Sequence, residues 1–569
     1  HIAENGGRFV STEKRNESYM LKQSRYSKGK KNVKQYSKNN ASKKGGSGKN
    51  SYNAYYKKND DGFQPKSNGK LSYGKKKNPS KSKGYPKKKA RKPSVKIAFL
   101  GGLNEIGKNI TLVECENDII IVDCGMAFPD GDMLGVDLVI PDFTYIEQNA
   151  DRVKGIILTH GHEDHIGGLP FLLSKVNVPI YGTPLTLGLV GNKLREHSLF
   201  NKTQLNVTNA GQTIELGCMK IDFIHVNHSI PDAVAFAIHT PGGTIVHTGD
   251  FKIDCTPITG DMIDLSSFAR VGDEGVLALL SESTNAERPG YTPTERTVSD
   301  SLDSLFKSAE NYRIIIATFA SNVNRVQQII DCAEKYGRKV AFSGRSMVNY
   351  MDVAQKLGYL HLPENILIDI DMLDKYMPQQ VVLVTTGSQG EPMSALSRMA
   401  YSDHRKVMVG EGDFIIISAN PIPGNEKTVG NVVDELLKKG CKVIYESMYE
   451  VHVSGHACQE ELKIIQKLVK PKYFIPVHGE QKHLRKHADL AMFLGMERKN
   501  IYIGDVGSVL EINEDYMKEL PPVQAGKVFV DGLGVGDVGS IVLRDRKHLG
   551  QDGLIIIVAS LDVYDGHVI

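Results

Sequence analysis

Apolar residues along this chain come in short runs of strand length, separated by polar turns and a few helix-like stretches. From Val95 the runs VKIAFLGG, NITLVE and DIIIVDCG follow one another, each suited to a buried strand. Ile156–Thr159 is another, closed by a polar turn, with a helix expected to begin near Ile166. Alternating strand and helix patterns continue through Pro184–His197, then IDFIHV, AVAFAIHT, IVHTGDFKID and VLALLSEST. Between about Val298 and Glu446 the strand-like runs are RIIIATF, KVAF, QQVVLVTTG and DFIIIS. Helix-like stretches such as Asn322–Lys335 and Lys427–Lys439 separate them, and strands alternating with helices imply a parallel sheet. A helix and the strand KYFIPV come next, and short β-like runs (VGSVLEI, GKVFVDG, GSIVLRD, LIIIVASLDV) fill the segment from Ile501 onward. The fold class expected is α/β.

The first 92 or so residues break this pattern. They are Lys, Ser, Asn, Gly and Tyr with almost no branched aliphatics, too little apolar surface to offset chain entropy, and are expected to be disordered. The formal net charge of +4 hides a split. Residues 1–95 carry about 27 Lys or Arg against about 5 Asp or Glu, so a basic arm precedes an acidic body. Tyr52, Tyr55, Tyr56, Tyr73 and Tyr85 lie among lysine runs, a mixture that suits either RNA, through phosphate attraction and base stacking, or loose polyanion binding. Seven scattered cysteines without a CxxC pair argue for reduced thiols in a cytoplasm. No run reaches the apolar length of a membrane span, and no signal peptide is expected.

The densest chemistry is GIILTHGHEDHIGGLP, Gly155–Pro170. In an extended turn His160 and His162 project to one side, while Asp164 and His165 at the helix entry can face a second point. Three imidazoles and a carboxylate within six residues, in a chain with 18 histidines, suit a borderline-soft divalent cation, zinc first. Asp123, at a strand end, reads as a residue that orients a metal-bound histidine. Further on, His228 after a strand and Asp250 in the turn HTGDF complete an order HxHxDH…H…D, in which His228 joins the first cation and Asp250 bridges two. His197, His225, His239 and His247 fall within regular patterns and read as structural. The Gly-rich turn at Gly107–Asn109 lacks the Lys-Ser/Thr of a nucleotide-binding loop, so ATP is not expected.

HGHEDH with His228 and Asp250 resembles the metallo-β-lactamase superfamily. VLALLSEST, ending near Glu282, resembles the acidic motif that opens an inserted β-CASP domain, VHVSGHACQEEL centres on His456, and FIPVHGE carries His478. With FLGGLNEIGKN, TFASNVNRVQQ, FSGRSM and TTGSQGEP, the chain from about Val95 onward resembles bacterial ribonuclease J. The resemblance implies a metallo-β-lactamase αββα sandwich with an inserted parallel-sheet β-CASP domain. The expected division is a tail over 1–94, the sandwich over 95–297, the insert over 298–447, and a return segment with linker over 448–569, a small C-terminal domain being expected to be missing.

On this reading two Zn2+ ions per subunit are held by His160, His162 and His228 and by Asp164, His165 and Asp250, with His478 added to the second or just outside it. Asp164, Glu282, His456 and His478 would be catalytic, with His456 or His478 giving the leaving oxygen its proton. The loop His452, Val453, Ser454, Gly455 and His456 would receive substrate phosphate, unless Ser454 merely caps the following helix. Gly387 and Ser388 would anchor a 5′-terminal phosphate. Gly135, Asp137 and distant Asp531 offer oxygens for a structural calcium. The activity implied is 5′→3′ exoribonuclease with endoribonuclease cutting of single-stranded RNA, preferring a 5′-monophosphate, in mRNA decay and rRNA maturation. A homodimer or homotetramer, with other RNA-decay proteins as partners and no membrane, goes with it. A small-molecule hydrolase, a non-catalytic RNA-binding subunit and a DNA-directed nuclease are the competing readings.

Overall fold

The computed structural model describes residues 93–553 except 392, 422–424, 447 and 533. The basic tail, its tyrosines and the LIIIVASLDV run lie outside the described residues. The three opening runs form the antiparallel strands Val95–Gly101, Ile110–Cys115 and Asp118–Val122. They join an eight-stranded sheet that continues through Val153–Ile157, Ile180–Gly182 and Leu205–Val207 on one side, and Val509–Ile512 and Met517–Leu520 on the other. A six-stranded sheet faces it, in the order Tyr473–Val477, Ala278–Glu282, Gly243–His247, Val234–Thr240, Met219–His225, Thr213–Leu216.

Alternation along each strand explains the layers. Ile97, Phe99, Ile120 and Val122 point inward and meet Phe223, Phe236, Leu280 and Ile475 of the facing sheet. Ala98, Leu100, Ile119 and Ile121 point the other way, onto Ile166, Leu169, Leu172 and the helix Pro184–Glu196. On the far side, Ala235, Val246 and Leu279 pack under the helices Leu265–Glu274, Gln459–Val469 and Gln481–Phe493. The result is a four-layer αββα sandwich.

The insert is a five-stranded, wholly parallel sheet in the order Lys339–Ser343, Val381–Thr385, Arg313–Ala317, Asp413–Ile417, Lys442–Ile444. Ile314 and Ile316 serve one face and Ile315 and Ala317 the other, and burial on both faces makes these runs continuously apolar. The chain leaves the sandwich after Ala278–Glu282 and returns to Tyr473–Val477, which pairs with it in parallel from Ala278↔Tyr473 to Glu282↔Val477. The insert and the helix Gln459–Val469 are therefore one long crossover connection. The helix Arg345–Lys356 and its following turn seat the insert on the sandwich: the Tyr350 hydroxyl donates to the Gly161 carbonyl at 3.3 Å and the Tyr359 hydroxyl to Asp232 Oδ2 at 2.8 Å.

Two expectations of local structure change. The helix after the His-rich turn begins at Glu163, not near Ile166, and is two short pieces, Glu163–Ile166 and Leu169–Leu173, around Gly167 and Gly168. GSIVLRD, expected as a strand, lies in the helix Ser540–Asp552. Leu543 packs against Val136, Val139 and Val538, while Arg546 reaches Asp531 and Lys547 reaches Asp132. Positions i, i+3 and i+4 share a side only on a helix, and that outweighs the β-branched Ile541–Val542 pair. Among the described residues no helix is long and apolar enough to cross a membrane.

Asp232 Oδ2 also accepts from the Leu185 amide at 2.8 Å, and burial pushes its carboxyl up to about 6. A folded-state value above the unfolded one favours the neutral form. The associated stability is fully present below the unfolded pKa, about 3.9, and is lost as pH rises through about 6. Asp232→Asn should therefore gain on the unaltered chain by on the order of 3 kcal/mol between about pH 4 and about pH 7. Paired denaturation midpoints across that range would show it, and a pH-independent difference would contradict it.

Candidate metal centre

Strand ends build the site. Asp123 follows Asp118–Val122, His160 follows Val153–Ile157, and His228 follows Met219–His225. Asp250 follows Gly243–His247, Glu282 closes Ala278–Glu282, and His478 follows Tyr473–Val477. Backbone conformation assists: Asp123 and His478 have φ of 61° and 54°, which turn the chain sharply after their strands. Gly125 lets that turn close, since a Cβ there would lie 1.6 Å from the Asp164 carbonyl oxygen.

The structure brings together the residues expected to hold the two zinc ions. Ligand atoms of His160, His162 and His228 lie within 4.8 Å of one another, as do those of Asp164, His165, Asp250 and His478. In the first group His160 Nε2 is 3.0 Å and His228 Nε2 3.1 Å from His162 Nδ1. His228 Nδ1 donates to the Gly455 carbonyl at 2.8 Å, and His160 Nδ1 meets the Thr159 hydroxyl at 3.0 Å. Those bonds leave the two Nε2 lone pairs aimed at one point. Burial holds His160 and His228 well below the usual histidine value and pushes His162 down to about 4, so the nitrogens stay unprotonated at neutral pH. Converging neutral imidazoles in a buried pocket are a donor set that fits a divalent cation.

The second group carries charge. His165 Nδ1 donates to Asp123 Oδ2 at 2.8 Å, and that carboxylate is itself fixed by the Thr159 amide and hydroxyl, both at 2.8 Å. His165 Nε2 is thereby turned toward Asp250 Oδ2 at 3.3 Å and Asp164 Oδ2 at 3.5 Å. His478 Nε2 lies 3.2 Å from Asp164 Oδ2, its Nδ1 held by the Thr284 hydroxyl at 2.8 Å. Burial works against ionisation of Asp164 and Asp250, but the histidines beside them hold both carboxyls well below the usual range. Asp250 Oδ2 is shared. It stands 3.8 Å from His160, 3.9 Å from His228, 3.5 Å from His478 and 3.8 Å from His456.

His456 Nδ1 is 3.4 Å from Glu282 Oε1. Burial opposes its charge, yet the carboxylates of Glu282, Asp250 and Asp164 together outweigh burial and raise His456 to about 9. Glu282 also accepts from the Ala457 and Thr284 amides at 3.1 and 3.0 Å, so one carboxylate orients the loop and the imidazole together. Ser454 does not cap the following helix. That helix starts at Gln459, where Glu461 accepts from the Cys458 amide at 2.8 Å. Ser454 Oγ instead accepts from Asn285 Nδ2 at 2.9 Å. His452 sits away from the cluster beside Phe319, pushed down to about 3 by burial and by Arg325. Gly387, with φ 104°, and buried Ser388 are on the loop after Val381–Thr385 and are not among the residues that meet in the cluster.

At the position expected for calcium the structure puts a guanidinium. Arg546 binds Asp531 Oδ2 at 2.6 Å and the Leu134 carbonyl at 3.0 Å, and a Cβ on Gly135 would lie 2.6 Å from its Nη1. Asp137 Oδ2 accepts from the Gly532 amide at 2.7 Å. Asp531 and Gly135 thus lie beside a guanidinium, and Asp137 beside a backbone amide. His225, His239 and His197 contact Asp261, Asp222 and Phe171, and His247 Nδ1 accepts from the Gly249 amide. The sequence reading missed Thr159, Thr284, Asn285 and Asn109, whose Nδ2 lies 3.2 Å from Asp164 Oδ2 and 3.1 Å from His165 Nε2. Their signal is adjacency to a motif residue or a Gly-rich turn.

Comparison with known proteins agrees with this architecture. Residues 103–295 match the metallo-beta-lactamase superfamily, 311–436 the beta-CASP domain of ribonuclease J, and 441–503 the RNA specificity domain of zinc-dependent metallo-hydrolases. Fold and site define a metallo-β-lactamase-type hydrolase with a β-CASP insert, a class that binds divalent metal. The chain is 45% identical over 482 residues to ribonuclease J2 of Bacillus subtilis, covering 85% of this chain and 86% of that one. It is 44% identical over 466 residues to ribonuclease J of Helicobacter pylori, 82% and 68% of the two chains, and 44% identical over 475 residues to ribonuclease J of Thermus thermophilus, 82% of each. A crystal structure of a protein of unknown function from Enterococcus faecalis shares the fold at 18% identity, with a TM-score of 0.51 over 74% of this chain and all of that one. The chain belongs to the ribonuclease J family, and is a hydrolase acting on RNA.

A Cβ on Gly455 would stand 2.8 Å from both Cε1 and Nδ1 of His228. Gly455→Ala is expected to displace that ring and weaken metal retention by about 10–100-fold. Metal content after dialysis against graded chelator measures this, and unchanged retention would separate His228 from the cation.

Proposed function

We propose that the enzyme is a two-zinc 5′→3′ exoribonuclease with endonucleolytic cutting, preferring 5′-monophosphorylated single-stranded RNA. The reading rests on one observation above all: a single buried carboxylate oxygen, Asp250 Oδ2, is shared by both sets of imidazoles and by His456. One cation belongs to His160, His162 and His228, the other to Asp164, His165, Asp250 and His478. When bound, such a pair makes water nucleophilic at neutral pH and neutralises charge on a phosphodiester. The protein's own groups do the rest. Glu282 faces Nδ1 of His456 and leaves the opposite ring edge to face the substrate, so His456 delivers the proton to the departing 3′-oxygen. His478, its Nδ1 fixed by the Thr284 hydroxyl and its Nε2 turned to Asp164 and the second cation, is left no free nitrogen for proton donation. Ser454 and the Gly455 amide receive the scissile phosphate, and Gly387 and Ser388 receive the 5′-terminal one.

In this reading the chain divides at about residues 94, 297 and 447. The basic tail adds sequence-independent RNA affinity, and the enzyme works as a homodimer or homotetramer in cytoplasmic mRNA decay and rRNA maturation, alongside other RNA-decay proteins. Digestion of 5′-monophosphorylated RNA, its triphosphorylated twin and DNA, with and without chelator, tests the proposal. Mononucleotides from the first substrate alone, abolished by chelator and by Asp164→Ala, are the expected result. Equal inactivity of the unaltered and Asp164→Ala enzymes on all three would overturn it. Deleting residues 1–92 should weaken RNA binding and flatten its salt dependence while sparing cleavage of short oligonucleotides. A truncated enzyme that cannot hydrolyse even these would place the arm in the catalytic machinery.

A further inference from the structure

The largest fully buried side chain outside the metal cluster is that of Arg325, in the first turn of the insert's helix Val323–Lys335. Its donors reach one acceptor on its own helix and three from distant parts of the chain. Nε donates to Gln328 Oε1 at 2.9 Å, Nη2 to Glu295 Oε2 at 2.8 Å, and Nη1 to the Ser418 hydroxyl at 2.5 Å and the Val451 carbonyl at 2.6 Å. Ser418 Oγ lies 2.5 Å from the same Val451 carbonyl and donates to it. Glu295 Oε1 is 3.2 Å from Lys252 Nζ, two residues past Asp250 in sequence, and the Glu295 amide donates to Asp254 at 3.1 Å. One guanidinium thus joins the sandwich, the strand Asp413–Ile417 of the insert, and the point where the chain re-enters the sandwich.

Only four residues lie between Val451 and His456. At its other end the loop is fixed to Glu282 through the Ala457 amide, and Asn285 and Thr292 hold the His456 carbonyl at 3.0 and 2.7 Å. Both ends of a short loop are thereby anchored, one to the sandwich and one to the insert. A buried ion pair is weak ground for stability, because desolvation offsets attraction. A planar guanidinium with fixed donor directions adds geometry that an ammonium or a thioether cannot.

We propose that Arg325 is a positioning residue for His456: through the Val451 carbonyl it sets the loop 451–456 so that the imidazole meets the leaving oxygen only when insert and sandwich are correctly seated. This rests on the reading of His456 as the proton donor. The test uses the full chain carrying Arg325→Met with Glu295→Gln, which removes both buried charges together and leaves Lys252 its contact with Asp254 at 3.6 Å. Substrates are a 5′-monophosphorylated RNA oligonucleotide and thymidine 5′-(p-nitrophenyl phosphate), whose nitrophenolate departs without a proton.

The paired variant should keep its metal content and a melting temperature near that of the unaltered enzyme. Its kcat on RNA should fall by about 10–100-fold, with KM and turnover of the nitrophenyl ester each moving by less than about threefold. His456→Ala should show the same split between substrates. Arg325→Lys, which keeps the charge but not the fork, should show it more weakly. Unaltered kcat on RNA, parallel loss on both substrates, or failure of both Arg325 variants to fold would overturn the proposal while His456→Ala kept its split. Absence of the split in His456→Ala would overturn the proton-donor reading, and this assignment with it.

Discussion

A carboxylate shut away from water needs charge or hydrogen bonds around it, and Asp250 finds them in five imidazoles drawn from four separate stretches of chain. His165, His478 and His456, whose charged forms the surrounding carboxylates favour, are attracted to it in a low-dielectric pocket. The rest of the sandwich can be read as the scaffold that this convergence requires. Two sheets stack with carboxyl ends of several strands at one edge, and each such end carries one polar residue. Asp123 and Thr159 hold the rings from behind, so the directions of the lone pairs are set before any ion arrives.

The insert is part of that scaffold. Its ends meet at neighbouring parallel strands, Ala278–Glu282 and Tyr473–Val477, so its placement is tied to the register of the sheet that carries Glu282 and His478. Tyr350 reaches the carbonyl of Gly161, between the first two histidines, and Arg325 reaches Val451 on the other side of the cleft. Insert and sandwich are therefore in contact on both flanks of the metal cluster, and a shift of one against the other would be felt by both His162 and His456.

Much of this was legible in the sequence because metal ligands are residue types that a buried strand end otherwise avoids. His160, His162, Asp164 and His165 stand out by spacing alone, and His228 and Asp250 gain meaning from their order after them. The parallel sheet of the insert was legible because strands buried on both faces read as unbroken apolar runs. Thr284 and Asn285 were not legible, since a hydroxyl or amide beside a motif looks like any turn residue until the partner, here His478 or the His456 loop, is brought across from some 170–190 positions away. The helix Ser540–Asp552 was misread because its decisive contacts, Arg546 to Asp531 and Lys547 to Asp132, are tertiary, and a local pattern carries no trace of them.

The cluster draws on residues from His160 to His478, with the last of them more than three hundred positions after the first. A polypeptide still emerging from the ribosome therefore holds no complete centre until nearly the whole sandwich has been translated. The order of synthesis thus delays assembly of the clustered side chains until His478 has been made.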